Sequence, residues 1–498
     1  MTAFVSPDRI RGLFAQAMSD MYRTEVPLYG DLIDLVGEVN AATLQRDPEL
    51  ASRLQRTGET ERLDLERHGA IRVGTPAELA TLGRVFAVMG MHPVGYYDLT
   101  VAGVPVHATA FRPLTEEALA ANPFRIFTSL LRLELISDAT LRAKAEAILA
   151  KRDIFTADAR ALLAQAERDG GLGEADAQRF VAEVLETFRW HGDATVPLET
   201  YRALHGLHRL VADVVSFRGP HINHLTPRTL DIDAAQAAML ERGIQAKALI
   251  EGPPRRAVPI LLRQTSFKAL EEEVAFPDAA GTLVPGSHSA RFGEIEQRGL
   301  ALTPAGRELY DRLLAQVRQA GGAGNTSADY PQRLAAAFAE FPDDEETLRR
   351  QGLGYFRYRL TDSGAALPAS ERAAMTPDAL VDAGHAVVDP VVYEDFLPVS
   401  AAGIFQSNLG GGEQRAYDAH ANQDAFEAAL GKAIHDPFAL YQQAQDASIG
   451  YRKFNRPFWR VWRVGSGRAS AALGTDRAQI GGSCVGFRHR GATQRLSA

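Results

Sequence analysis

The chain has 498 residues, 46% apolar and 23% charged, with a formal net charge of −8. These are the proportions of a soluble globular protein, long enough for two or three packed units. No apolar run approaches the ~20 residues a membrane span needs, and an acidic chain argues against nucleic-acid phosphates as its main partner.

The N-terminus, MTAFVSPDRIRGLF, has no basic region followed by an apolar run, so it does not read as a secretory signal. Residues 5–60 have helical periodicity. Ser6-Pro7 reads as an N-cap and first helical position, and VPLYGDLIDLVGEVNAATL as a second helix. The pattern then changes. HGAIRVG is a short strand, and TPAELATLGRVFAVMG a helix with a Thr75/Glu78 capping box and a stop at Gly90. VGYYDLT and VPVHATAF form a hairpin pattern, and FRIFTSLLRLELI a longer strand. The order is β-α-β-β-β.

Residues 137–210 read as an inserted helical block, ending in LETYRALHGLHRLVADVV as one helix. The earlier order then returns. HINHLTP is strand-like and TLDIDAAQAAMLERG helical. IQAKALIEG and AVPILLRQTSF are strands, and HSARFGEIEQRG follows a turn-rich loop as the fifth element. The implied division is an N-terminal helical segment (1–60), a first βαβββ module (61–136), the helical insert (137–210) and a second module (211–300). A mixed α/β region (301–450) and a basic tail (451–498) complete it. The tail holds ten Arg/Lys against Asp476, leaving −17 on residues 1–450. It reads as an extension unrelated to the chemistry rather than a nucleic-acid arm. It also holds Cys484, the only cysteine, which excludes an intramolecular disulfide and fits a cytoplasmic location.

Two βαβββ copies can curl their sheets around a cavity, so that residues facing inward from each first strand oppose one another. His68 lies on the first strand of copy one, and His221 and His224 on the matching strand of copy two. Glu294 and Glu296 share one face of the last strand. Two histidines and one carboxylate form a facial triad, which leaves positions open on Fe(II). Each residue alone reads equally well as an ordinary core histidine or a salt-bridging acid. His224 is favoured over His221 because it shares a face with Thr226 and Arg228. Arg72, on the face of His68, can grip a substrate carboxylate or pair with an acid such as Glu66 or Asp98. No G-x-S-x-G, C-x-x-C or H-E-x-x-H motif is present, and LGGGEQ at 409–414 lacks the strand-to-helix context of a phosphate loop.

The stretches ERHGAIRVGT, MGMHPVGYYDL, GVPVHATAFRP, GPHINHLTPRTLDID, PILLRQTSFKAL, ARFGEIEQRGLALTP and VYEDFLPVSAAGIFQSNLG together resemble the bacterial 2-oxoadipate dioxygenase/decarboxylase family, also called 2-hydroxyglutarate synthase. The resemblance spans about residues 4–450. It implies an α+β fold of the vicinal oxygen chelate type, with paired βαβββ modules forming a curled sheet around a metal site. It implies Fe(II) on His68, His224 and Glu294, with Arg72 on the far carboxylate of a 2-oxo diacid. The PVS segment, Val399 and Ser400, would close the pocket. Gln264 is a further candidate for a polar pocket contact. The expected partners are 2-oxoadipate and O₂, the products 2-hydroxyglutarate and CO₂, and the setting lysine breakdown. The alternative on the same scaffold is a glyoxalase-like isomerase or hydrolase without O₂. That chemistry wants a fourth protein ligand, for which Glu134 is the candidate. A non-catalytic binding protein is a third reading.

Overall fold

The structure is a computed structural model and describes residues 4–100, 103–278, 280–320, 329–397 and 419–454. The first module is built as its pattern predicts. Strand β1 (Arg67–Val73) leads into the helix Pro76–Val88, whose Thr75/Glu78 capping box is formed. Strands β2 (His92–Asp98), β3 (Val106–Arg112) and β4 (Arg125–Leu131) follow. The sheet order is β2-β3-β4-β1, with β4 parallel to β1 and the other pairs antiparallel. Strand β4 is shorter than the run FRIFTSLLRLELI: it ends at Leu131, and Leu133–Leu135 form a 3₁₀ turn.

The second module keeps the β-α order but carries five strands where the layout has four. Strand β5 (His224–Pro227) is followed by the helix Ile232–Glu241 and strand β6 (Leu262–Ser266). A hairpin of β7 (Glu272–Pro277) and β8 (Leu283–His288) then precedes β9 (Glu294–Arg298), which pairs antiparallel with β6. Two expectations fail here. The run IQAKALIEG forms no regular strand, only bridges at Ala246–Phe267 and Glu251–Gln264. It ends at Gly252, whose φ is +102° and where a Cβ would meet the Leu262 carbonyl at 2.2 Å. Prolines 253, 254 and 259 then supply no N–H donors, and Leu261 sits at φ +52°, so β6 starts only at Leu262. The region expected to be a turn-rich loop holds the β7–β8 hairpin. Its signal was the alternation of buried Val274 and Phe276 with more exposed neighbours.

The two modules meet along β1 and β5, which pair antiparallel with His68 opposite Thr226 and Ala70 opposite His224. Beyond β5, an Arg228–Glu296 parallel bridge and the Thr229 N–H to Glu296 carbonyl bond (2.7 Å) carry the layer on to β9 and β6. In each module, first and last strands therefore run side by side and parallel. The outward positions Ile71, Val73, Ile126 and Leu130 pack in one core with the N-terminal helices. The inward positions Ala70, Ala108, Ala110 and Phe127 belong to a second core. Three of those four are alanines, so this face carries small side chains beside the polar residues of β1.

Helices cover the rest. Four occupy residues 7–65 where two were expected, because Pro48 begins a third helix and Gly58, at φ +72°, separates it from a fourth. The run read as a single helix from Leu198 breaks at His208, which is extended and accepts the Leu210 N–H on Nδ1 to cap Arg209–Ser216. After the helix Pro304–Ala320, strands β10 (Phe356–Leu360) and β11 (Ala386–Pro390) pair, and the helices Ala419–Leu430 and Pro437–Phe454 close the described part. No helix among the described residues is long and apolar enough to cross a membrane.

Candidate metal centre

The period of two on three strands places the inward-facing polar residues. His68 and Arg72 project from β1, His224 and Thr226 from β5, and Glu294 and Glu296 from β9. His68 Nε2 lies 3.2 Å from Glu294 Oε1, and His224 Nε2 lies 4.0 Å from the same oxygen. The ligating atoms of His68, His224 and Glu294 all fall within 4.8 Å of one another, and all three side chains are 0% exposed. Of the pairs left open above, His224 rather than His221 and Glu294 rather than Glu296 join this group.

The surroundings fix the carboxylate. Gln264 Nε2 donates to Glu294 Oε1 at 2.6 Å, and Thr226 Oγ1 donates to the same atom at 3.2 Å. Gln264 thus turns its amide toward Glu294. Phe396 meets the His68 ring edge-on at 4.9 Å, and Phe292 packs on His224 at 4.8 Å. Both ring nitrogens of His224 and Glu294 Oε2 are buried and find no hydrogen-bond partner among the described residues. Leaving a buried polar atom unsatisfied costs about 1–3 kcal/mol. Burial, followed by the positive charge of His68 and Arg72, holds His224 well below its ordinary pKa. It is therefore a neutral imidazole with a free lone pair, as a metal ligand requires. Burial raises the Glu294 pKa against the opposing pull of His68. Two imidazoles and a carboxylate with spare acceptor atoms fit a divalent cation held on three ligands with an open face.

His68 has a second acid at its other nitrogen: Nδ1 lies 2.9 Å from Glu296 Oε2. Burial would raise Glu296, but Arg298 and His68 outweigh it and hold its pKa at about 2. Behind it lies a fully interior set of alternating charges. Glu66 accepts from Arg228 at 2.8 Å and Arg125 at 2.5 Å, and Glu394 accepts from Arg62 at 2.7 Å and Arg125 at 2.9 Å.

Arg72 pairs with neither Glu66 nor Asp98. Its Nη1 donates to Asp213 Oδ2 at 2.8 Å. Glu66 is taken up by the charge set above, and Asp98 binds Thr100 and Asn422. Asp213 Oδ1 lies 2.9 Å from His288 Nε2 and 3.2 Å from His221 Nε2, and Tyr201 Oη is 2.9 Å from His288 Nδ1. Burial would raise Asp213, but His221, His288 and Arg72 hold it well below the carboxylate range. This second His/His/Asp group also brings its ligating atoms within 4.8 Å. Unlike the first, its carboxylate has a partner on each oxygen. Asp213 and His288 went unread in the sequence. The signal for Asp213 was one acid inside the apolar run LVADVVSF.

Glu134 does not face the cavity. It sits in the 3₁₀ turn after β4, its side chain 62% exposed and paired with Arg132. The fourth ligand wanted by a glyoxalase-like isomerase is absent from that position. Val399 and Ser400 lie outside the described residues.

Two imidazoles and a carboxylate converging from paired strands define a candidate metal site of the two-histidine, one-carboxylate class. The sequence pattern of the 2-oxoadipate dioxygenase/decarboxylase family matches residues 14–408, and the chain belongs to that family. A 2-oxoadipate dioxygenase/decarboxylase of Pseudomonas putida is 61% identical over 449 residues, covering 90% of this chain and 96% of the relative. One from Escherichia coli is 58% identical over 448 residues, covering 90% and 98%. The crystal structure of the hydroxyglutarate synthase from Pseudomonas putida in complex with 2-oxoadipate superposes with a TM-score of 0.83 at 57% identity. That match covers 92% of this chain and 100% of the other.

Proposed function

We propose that this chain is an Fe(II)-dependent dioxygenase that converts 2-oxoadipate and O₂ to 2-hydroxyglutarate and CO₂ in the cytoplasm. The observation that carries the reading is the buried convergence of His68, His224 and Glu294, with acceptor atoms left unsatisfied. The family membership agrees with it, and the Pseudomonas putida relative is described in complex with 2-oxoadipate.

His68 and His224 would hold the ion through imidazole nitrogens and Glu294 through a carboxylate oxygen. Bound there, Fe(II) supplies Lewis acidity toward the 2-oxo acid and the electrons that activate O₂. The protein does the rest by placement. Gln264 and Thr226 fix the Glu294 carboxylate so that it approaches from one side only. Phe396 and Phe292 pack on the two imidazoles and exclude water from them. Arg72, four residues along β1 from His68 and on the same face, takes the far carboxylate of the diacid. Val399 and Ser400 are assigned to closing the pocket by the family resemblance. 2-Oxoadipate and O₂ together hold every atom of 2-hydroxyglutarate and CO₂, and the electrons that reduce O₂ come from the substrate, through loss of the carboxyl carbon as CO₂ and hydroxylation of the carbon beside the new carboxylate, so no further reductant is needed.

The test is oxygen uptake on adding 2-oxoadipate to the Fe(II)-loaded protein, with CO₂ counted alongside. Equal uptake and release, lost in Glu294→Ala, is the expected result. No uptake by the wild type, or undiminished uptake by Glu294→Ala, overturns the reading.

A further inference from the structure

Strand β9 carries Glu294, Glu296 and Arg298 at alternate positions, all inward and all buried. Only the first belongs to the candidate ligand set. The second stands at His68 Nδ1, 2.9 Å away. The third grips the second from behind: Arg298 Nε donates to Glu296 Oε1 and Nη2 to Oε2, both at 2.8 Å. Its remaining amino group, Nη1, donates to the carbonyls of Tyr393 (2.8 Å) and Asp395 (2.9 Å). The guanidinium lies over the Phe396 ring at 5.4 Å, and the Phe396 ring abuts the His68 ring at 4.9 Å. The contacts close a circuit: His68 to Glu296, Glu296 to Arg298, Arg298 to Phe396, and Phe396 back to His68.

From this circuit we infer that Glu296 and Arg298 are positioning residues for His68. The inference rests on the reading of His68, His224 and Glu294 as metal ligands. With an ion held at Nε2, the nitrogen that faces Glu294 at 3.2 Å, the carboxylate at Nδ1 would keep the imidazole's one remaining proton on that side. It also increases the donor strength of Nε2. Arg298 keeps Glu296 from rotating, because both carboxylate oxygens are held by one planar fork. The same guanidinium fixes the backbone at Tyr393 and Asp395, so the aromatic wall beside His68 is set by the residue that sets its tautomer. Two further bonds lock that wall from other sides: Tyr97 Oη accepts the Phe396 N–H at 3.3 Å, and Tyr393 Oη donates to the Phe396 carbonyl at 2.8 Å. One short strand thus supplies a ligand, the group that orients a second ligand, and the anchor of that group.

The experiment is a titration of the metal-free full chain with Co(II), in competition with a chromophoric chelator. It reads affinity and the visible Co(II) spectrum without any turnover. Glu296→Gln is expected to weaken Co(II) about 10–100-fold and to shift the spectrum, with Glu294→Ala losing binding altogether. Wild-type affinity and spectrum in Glu296→Gln overturn the inference while the ligand assignment stands. No Co(II) binding by the wild type, or full binding by Glu294→Ala, overturns the ligand assignment and the inference with it. Should Glu296→Gln not fold, Arg298→Lys carries the test. It keeps the charge but cannot hold both oxygens and two carbonyls, so affinity is expected to fall about fivefold or more, and an unchanged affinity overturns the inference.

Discussion

Arg72 and Asp213, 141 residues apart in the chain, meet in the protein interior at 2.8 Å. The guanidinium on the His68 face of β1 is therefore fixed in place by an acid from the helix Arg209–Ser216. That acid is in turn braced by His288 and His221. Under the proposed function, a cation held this way would set the distance from the ion to the far carboxylate of the substrate.

Replacing that cation tests the assignment. Arg72→Gln is expected to lower kcat/KM for 2-oxoadipate by about 10–150-fold, equivalent to roughly 1.5–3 kcal/mol for a hydrogen bond to a charged group. Turnover of 2-oxohexanoate, which lacks the far carboxylate, should change by less than about threefold. Steady-state kinetics with both acids decides it, because equal losses would reduce Arg72 to a structural role.

Removing the acid instead is a question of stability. Asp213→Leu leaves the Arg72 guanidinium buried without this partner and frees the Nε2 groups of His221 and His288. The expected loss is about 3–5 kcal/mol, the usual cost of breaking a buried pair from one side. Urea denaturation of the two proteins measures it, and a loss under about 1 kcal/mol would contradict the network described.

The orphaned imidazole makes the opposite prediction. Among the described residues His224 has no hydrogen-bond partner on either nitrogen, so with chelator present His224→Leu should not destabilise the protein and is expected to add about 1–2 kcal/mol. The same change should abolish the rise in Tm that Co(II) gives the wild type by mass action. Thermal scans with chelator and with Co(II) provide both readings. A large loss of stability in the chelator would mean that His224 is held by the protein itself.

His107 gives a handle on pH. Burial, with a further push from Arg132, lowers its pKa from 6.5 to about 4. The unfolded chain then binds a proton that the folded chain refuses. Its contribution is complete above pH 6.5 and is lost as pH falls toward 4, by at most about 3 kcal/mol. His107→Asn should flatten stability between pH 7.5 and pH 4.5 relative to the wild type. Urea midpoints at the two values check this, and parallel slopes would refute it.

The first module was readable because each of its elements carries its own local signal. The Thr75 capping box, the Gly90 stop and the alternation in β2 and β3 each point to one conformation. In the second module the backbone bends at Gly252 and Leu261 while the apolar pattern continues, so periodicity overstated the strands. Residues facing one cavity from equivalent strands could be nominated from the repeat, which offered His68 with His221 or His224 and with Glu294 or Glu296; the set His68, His224 and Glu294 followed from the family resemblance. Asp213 could not, because its partner Arg72 lies in another element and no spacing links them. Glu134 shows the converse. The chain coils at Leu133, and even a longer β4 would set Glu134 on the outward face with Ile126 and Leu130.

The antiparallel pairing of β1 with β5 has a kinetic consequence. Residues joined there, such as His68 and Thr226, are separated by the whole helical insert. Such distant contacts form late, after closure of a long loop. Neither half of the doubled scaffold holds all three candidate ligands, so a nascent chain emerging from the ribosome offers no complete cradle for an ion until both halves are out and zipped together. A chain assembled in that order completes its candidate ligand set only once both halves are in place.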